Sequence, residues 1–417
     1  MKTKLQKYDK YKPSGLDWLG DIPDEWNYER FGDKFIQNKT KNFELLEKNL
    51  LSLSYGRIIR KDINTSLGLL PESFETYQIV KSGFIILRLT DLQNDKKSLR
   101  VGLVKEKGII TSAYVGIELK MMLNPKFIFY LLYTYDIIGL FYWEGGSLRQ
   151  SMRYEDIKRL PLLYPSIQTQ ITIANYLDTQ TTKIDQEIEL LTAKEAKYKQ
   201  LKQTLISDTV TKGLDKSAKL KPSGVEWIGD IPQGWEVRRL KDFIIFSIAG
   251  EVIDVSYWGE GDELMYSAGK YPVKCNFEGF PSRKRTKQND ILIARNGDGF
   301  IHAPEVGAIY TNVVQMARLS AKVNKYFILY AMDTIKFNIN QTSNGDFIAS
   351  LNKTLWFNSD LPLPPLQFQQ QIADYLDEQA GKIDQIIGAI NTKITKLREF
   401  RKVLINDVVT GQVRIES

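Results

Sequence analysis

The chain states its longest motif twice, and that duplication limits what it can fold into more than any other feature. KPSGLDWLGDIPDEW, from Lys12 to Trp26, returns as KPSGVEWIGDIPQGW, from Lys221 to Trp235, with ten of fifteen positions identical at a separation of 209 residues. A second pair, IANYLDTQTTKIDQ from Ile173 to Gln186 and IADYLDEQAGKIDQ from Ile372 to Gln385, lies 199 residues apart with ten identities in fourteen. LISDTVT from Leu205 and LINDVVT from Leu404 close the two copies. A period near 200 is far longer than that of solenoid repeats, so a whole module is duplicated. The 417 residues become two modules, within the two or three domains expected of this length.

Each module reads as an aromatic motif, a divergent stretch and a long helix. The divergent stretches are residues 27–159 and 236–359, and LNPKFIFYLL at Leu123 still matches VNKYFILYAM at Val323 in register. GFIILRL at Gly83, GLVKEKGIITSAYVGIEL from Gly102 and DILIARNG at Asp290 are Ile-, Val- and Leu-rich runs broken by Gly, as strands with tight turns read. Helices follow near Pro125 and Tyr326, giving two similar α/β domains. The GDIPxxW motifs hold four of the seven tryptophans, Trp18, Trp26, Trp227 and Trp235. Aromatics can stack on bases, but both copies carry the motif unchanged beside different domains. Packing onto the domain is therefore their expected role.

After the prolines at Pro161 and Pro165, and again after Pro362, Pro364 and Pro365, the hydrophobic period becomes helical. Ile372, Leu376, Gln379, Ile383, Ile387, Ile390, Ile394, Leu397, Arg401 and Leu404 step by fours and threes, a near heptad seam. Ile173, Leu177, Gln180, Ile184, Ile188, Leu191, Glu195, Tyr198, Lys202 and Leu205 repeat those steps, with Leu201 placed to cover for Lys202. Each large apolar residue on a seam gains roughly 1.5–3 kcal/mol on full burial, so neither seam stays exposed. The other helix is the obvious partner. Chain order then makes the pair antiparallel, a coiled-coil bar of roughly 60–65 Å at 1.5 Å per residue, related by a pseudo-twofold axis and holding two domains apart. Pairing between separate chains is the alternative use of such a seam.

Composition removes several chemistries. One His and one Cys, His302 and Cys275, cannot make a four-ligand Cys/His zinc site, a disulfide framework or a histidine relay. No apolar run of about 18 residues is present, and MKTKLQKYDKYKPSG lacks an apolar core, so neither a membrane span nor secretion is expected. A cytoplasmic setting fits. The net charge of +7 permits nucleic acid without demonstrating it. Asn124 to Phe127, NPKF, approaches an amino-methyltransferase motif but has Lys126 in place of the second proline, and its counterpart at Asn324 reads NKYF. Asn before Pro is equally a helix cap and first turn. GEG at Gly259 lacks a third glycine, and no GxxxxGK[ST] loop occurs.

With these motifs in view the chain resembles, over essentially its whole length, a specificity subunit of a type I restriction-modification system. The KPSG and GDIPxxW openings, the PPLxxQxxIAxYLD start of the second helix with its first-helix counterpart, the KID step and the LIxDxVT exit carry the resemblance, as does Asp91 to Tyr114. It implies target recognition domains at 1–159 and 216–359, spacer helices at 160–215 and 360–417, and double-stranded DNA as ligand. It further implies two methyltransferase subunits and restriction subunits as partners. S-adenosylmethionine, ATP and Mg would belong to those partners, leaving this chain with no cofactor, metal or catalytic residue. A coiled-coil adaptor for proteins and a stand-alone methyltransferase are the rival classes.

For DNA contact the candidates in the first domain are Arg57, Arg60, Lys61, Arg88, Lys96, Lys97 and Arg100. In the second they are Arg283, Lys284, Arg285, Lys287, Arg295 and Asn296, opposed by Asp290 and Asp298. Lysines suit phosphates, which orient without reading sequence. Arg295 and Asn296 suit the edges of guanine and adenine.

Overall fold

A computed structural model of the chain describes residues 5–64, 73–92, 95, 99–120, 123–144, 147–148, 151–295, 299–342 and 353–416. The chain divides into two compact units, Met1–Leu191 with Lys393–Ser417, and Thr192–Thr392. Its four longest helices are α1 (Pro125–Ile137), α2 (Ile167–Lys212), α3 (Lys325–Thr342) and α4 (Leu366–Val409) among the described residues. The boundary between units cuts α2 and α4, so each unit owns a length of both.

In the first unit a four-stranded antiparallel sheet runs Val101–Leu103, Ile85–Leu87, Val115–Leu119, Phe35–Gln37. The Gly83 and Gly102 runs form the strands expected of them. A hairpin, Leu51–Ser54 with Arg57–Arg60, turns at Tyr55 and Gly56, both at positive φ. In the second unit the order is Ile244–Ala249, Val314–Leu319, Asp290–Ala294, Ile301–His302. A further sheet adds Trp258–Tyr266 between Val273–Cys275 and Ile309–Tyr310. Sheet and helix pack together in each, with α1 over Phe127, Leu131 and Leu132 in one core and α3 over Phe327, Ile328 and Met332 in the other.

The repeated motifs make the same bonds in both units. Ser14 N donates to Gly20 O at 3.1 Å and Ser223 N to Gly229 O at 3.0 Å; Trp26 N reaches Pro23 O and Trp235 N reaches Pro232 O, each at 2.9 Å. Trp26 and Trp235 are buried, Trp18 stands edge-on to Tyr135 at 5.1 Å, and Trp227 packs against the second core. These tryptophans are packing groups. Asn124 caps α1, its Oδ1 accepting from the backbone N–H of Lys126 and Phe127, and Asn324 does the same for Tyr326 and Phe327. The Asn124–Phe127 sequence is therefore a cap and a first turn. Gln170 and Gln369 accept from the N–H of Asn124 and Asn324, and Tyr130 and Tyr330 donate to Asp178 and Asp377.

Within the first unit Ile173, Leu177 and Ile184 of α2 share a core with Leu404, Ile405, Val408 and Val409 of α4, with Ile188 and Leu397 packed against it. Asp185 meets Arg401 at 3.2 Å and Glu187 meets Lys393 at 2.6 Å. Within the second, Ile372, Leu376, Ile383 and Ile390 are buried, and Glu195 and Lys202 meet Asn391 and Asp384. In both, α4 numbers fall as α2 numbers rise, so the helices run antiparallel. Ile394 is buried; Leu191 and Ile387 are half-buried. Leu201 does not cover for Lys202. It is 53% exposed, and Lys202 is held by its ion pair at 2.6 Å instead.

Both long helices end on a left-handed glycine, Gly213 at φ 75° and Gly411 at φ 76°, the usual stop for a helix. A Cβ at Gly213 would lie 2.9 Å from the Trp235 ring, and one at Gly411 would lie 2.5 Å from Pro23. Any side chain there would push the helix end off its tryptophan.

Candidate nucleic-acid interface

The basic candidates of the first unit divide by what already holds them. Arg57 and Arg60 project from the hairpin with side chains 71% exposed, Arg57 paired with Asp185 at 3.0 Å and Arg60 with Glu106 at 2.6 Å. Water screens exposed pairs of this kind and they contribute little, so a phosphate competes for either arginine easily. Lys61 is exposed at the end of the hairpin, and Tyr55 at its tip presents an aromatic ring that its residue type alone did not mark out. Arg88 reaches Asp95 at 3.1 Å. Lys96 and Lys97 lie outside the described residues.

Arg100 is a correction. It is fully buried, donating to the carbonyl oxygens of Arg88 (3.2 Å), Thr90 (2.8 Å), Asp91 (3.2 Å) and Asp95 and to the Tyr142 hydroxyl (3.0 Å). Its backbone N–H donates to Asp136 Oδ2 at 2.7 Å. A guanidinium committed on every side cannot reach DNA; it ties together the carbonyls of Arg88, Thr90, Asp91 and Asp95.

In the second unit the dense cluster is less available than its sequence implies. Lys284 is 13% exposed, bound to Glu251 at 2.6 Å and to the carbonyl of Ala249 at 3.0 Å. Arg285 makes a two-pronged pair with Glu263 at 2.7 and 2.8 Å and donates to Gly307 O. Both are pinned within the domain. Asp290 does not oppose this cluster, because its buried carboxylate takes both prongs of Arg318, at 2.7 and 2.9 Å. Arg283 and Lys287 are exposed, and neither side chain has an ion-pair partner among the described residues. Arg295 donates to Asn312 O at 2.6 Å while its buried Nε has no partner among the described residues. Asn296 and Asp298 lie outside the described residues.

Among the described residues no group of three or more His, Cys, Asp or Glu could hold a metal, and no helix is long and apolar enough to cross a membrane. Cys275 is buried. Burial holds the His302 imidazole below its ordinary 6.5, the Lys336 ammonium adding to the effect against a backbone hydrogen bond at Gly269. As pH falls through 6.5 the unfolded chain takes the proton first, so stability is lost from there down to the depressed folded value. This is the chain's one histidine. Thermal melts between pH 7.5 and 5.5 are expected to show wild type losing more stability than His302→Gln, with the difference confined to that window. Parallel curves would remove the effect.

The family described as "Type I restriction modification DNA specificity domain" matches residues 232–396. A Methanocaldococcus jannaschii protein provisionally described as the type I restriction enzyme MjaX specificity subunit is 25% identical over 96% of this chain and 96% of its own length. The type I restriction enzyme MjaVIII specificity subunit of the same organism is 25% identical over 44% of each. A chain solved in work on complex assembly and conformational transition of the type I R-M system superposes with a TM-score of 0.68, covering 93% of this chain and 98% of that one at 15% identity. That likeness is one of fold.

Proposed function

We propose that this chain, which belongs to the family of type I restriction-modification specificity subunits, reads a two-part DNA sequence, one half-site for each duplicated domain, and leaves the chemistry to its partners. The observation that carries the reading is the duplication. The opening motifs, the helix caps and the strand order of the four-stranded sheet repeat in the two units, while the accessory strands and the charged side chains of the stretches between them differ. Target recognition domains at 1–159 and 216–359 and spacer helices at 160–215 and 360–417 follow from it. A coiled-coil spacer with pseudo-twofold symmetry would set the gap between half-sites, whose like faces recur along DNA about every 34–36 Å.

Arg57, Arg60, Lys61, Arg283 and Lys287 are the proposed phosphate contacts, and Arg295 a base-edge contact. Arg88, Lys96, Lys97 and Asn296 keep the roles their sequence implies. Two methyltransferase subunits would dock on the apolar side chains that the helices leave exposed, Leu190, Phe400 and Val403 in one unit and Leu201, Tyr375 and Ile386 in the other. Restriction subunits would join them. The cytoplasmic complex would then methylate adenine and cleave DNA with ATP, the S-adenosylmethionine, ATP and Mg being bound by the partners.

Removing one cation from a phosphate lowers the slope of log K against log salt by about 0.9. Replacing both Arg283 and Lys287 by Ala is expected to flatten that slope by about 1.8 without loss of stability. Fluorescence anisotropy across a salt series measures it, and an unchanged slope removes both residues from the interface.

A further inference from the structure

In the first unit Tyr8 covers the tryptophan of the opening motif. It is 9% exposed, its ring 5.8 Å from that of Trp26 at 78°, with Tyr11 edge-on at 6.2 Å and the Arg414 guanidinium 6.0 Å from its centroid. The repeat fixes the counterpart. Asp24 N donates to Lys10 O and Gln233 N to Lys219 O, so the backbones run in step and Tyr8 corresponds to Ser217. Ser217 is exposed and turns its hydroxyl to Asp215 at 2.7 Å. Beside Trp235 lies a cavity of about 370 Å³, walled by Ala218, Pro232, Trp235, Phe368 and Ile372 with Lys212 at its edge.

We infer that this cavity receives one aromatic ring, carried as a Tyr or Phe side chain by a polypeptide that docks on the second unit. The same scaffold, a left-handed glycine ending a long helix against the tryptophan of the motif, holds a tyrosine in one copy and a hole in the other. Rings prefer edge-to-face contact with Trp, and a nearby cation favours the ring face. Lys212 also lines the cavity, its ammonium paired with Asp208 at 2.8 Å. Leu214, Leu366 and Phe368 leave apolar surface exposed around the same helix ends. A free small molecule would leave that collar wet, whereas a polypeptide covers it. The preference for a ring stands on the repeat alone; that the polypeptide is the methyltransferase subunit rests on the proposed function.

The test uses the full chain with ¹⁵N-labelled tryptophan indoles, Trp235→Phe identifying the resonance, and p-cresol as the ring probe against cyclohexanol. p-Cresol is expected to shift Trp235 alone among the seven indoles, with cyclohexanol at least tenfold weaker (about 1.4 kcal/mol). Ala218→Phe and Ser217→Tyr, which fill the cavity from within, abolish the shift while the other resonances stay in place. A Trp235 signal that ignores p-cresol, answers cyclohexanol equally or still moves in both filled variants overturns the ring site. Sedimentation with the methyltransferase subunit judges the occupant. Association at least tenfold weaker for Ala218→Phe supports it, and equal association overturns it. If wild type itself does not associate, that partner and this occupant fall together, while the ring site is still decided by p-cresol.

Discussion

Replacing Arg100 by methionine is expected to destabilise the first unit by about 3–5 kcal/mol, the cost of removing one member of a buried charged network. The guanidinium satisfies four carbonyl oxygens and a tyrosine hydroxyl, and no water can replace it at a site with no exposure. Each orphaned buried group costs about 1–3 kcal/mol. Asp136 aggravates the loss. Burial already raises its carboxyl above the ordinary range, with Arg100 working to lower it. Hydrogen exchange at Ile85–Leu87 and Val101–Leu103, the strands that flank the network, reports the change locally. An Arg100 that served DNA instead would lose affinity and leave exchange untouched. Arg60→Ala is the contrast, since its pair with Glu106 is exposed and screened by water and its loss should leave stability and exchange unchanged.

Exchange of residues 27–159 for another recognition domain is expected to change one half-site completely and the other not at all. The splice is favourable because the stretch begins and ends on a single ladder. Asn27–Arg30 pairs with Pro161–Tyr164, as Glu236–Arg239 pairs with Asp360–Leu363 in the second unit. A foreign domain joined there brings its own first strand to the retained strand Pro161–Tyr164 and meets the same Trp26 and α2 packing. Each mismatched base pair costs about 1–3 kcal/mol, roughly additively, so a half-site in which several pairs change should lose more than about a hundredfold in affinity. The gap should not change, because α2 and α4 are untouched.

The duplication, both helices and the caps were legible because they rest on local rules. A heptad seam and an Asn before a helix mean the same thing in any context, and Ile173 and Asn124 behave as their neighbours in sequence imply. The basic site was legible only as a set of candidates. Whether an arginine is free depends on where a carboxylate or carbonyl comes from, and those partners arrive from far along the chain. Glu263 reaches Arg285 from 22 residues away and Asp136 reaches Arg100 from 36. Asp290 belongs to Arg318, 28 residues on, rather than to the basic cluster beside it. Nothing in the local pattern separates Arg283 from Arg285. Tyr55 and the hollow at Trp235 were hidden for the same reason, one depending on a hairpin tip and the other on comparing two copies in space.

Two-part recognition is tested most directly by hydroxyl-radical footprinting of the wild-type chain and of the exchanged chain, each assembled with methyltransferase, on DNA that carries the methylated site. Wild type is expected to protect two short blocks separated by an unprotected gap, and the exchange to move one block's sequence while the second block and the gap stay fixed. A single continuous block, or an exchange that alters both blocks together, would contradict the assignment of one half-site to each duplicated domain.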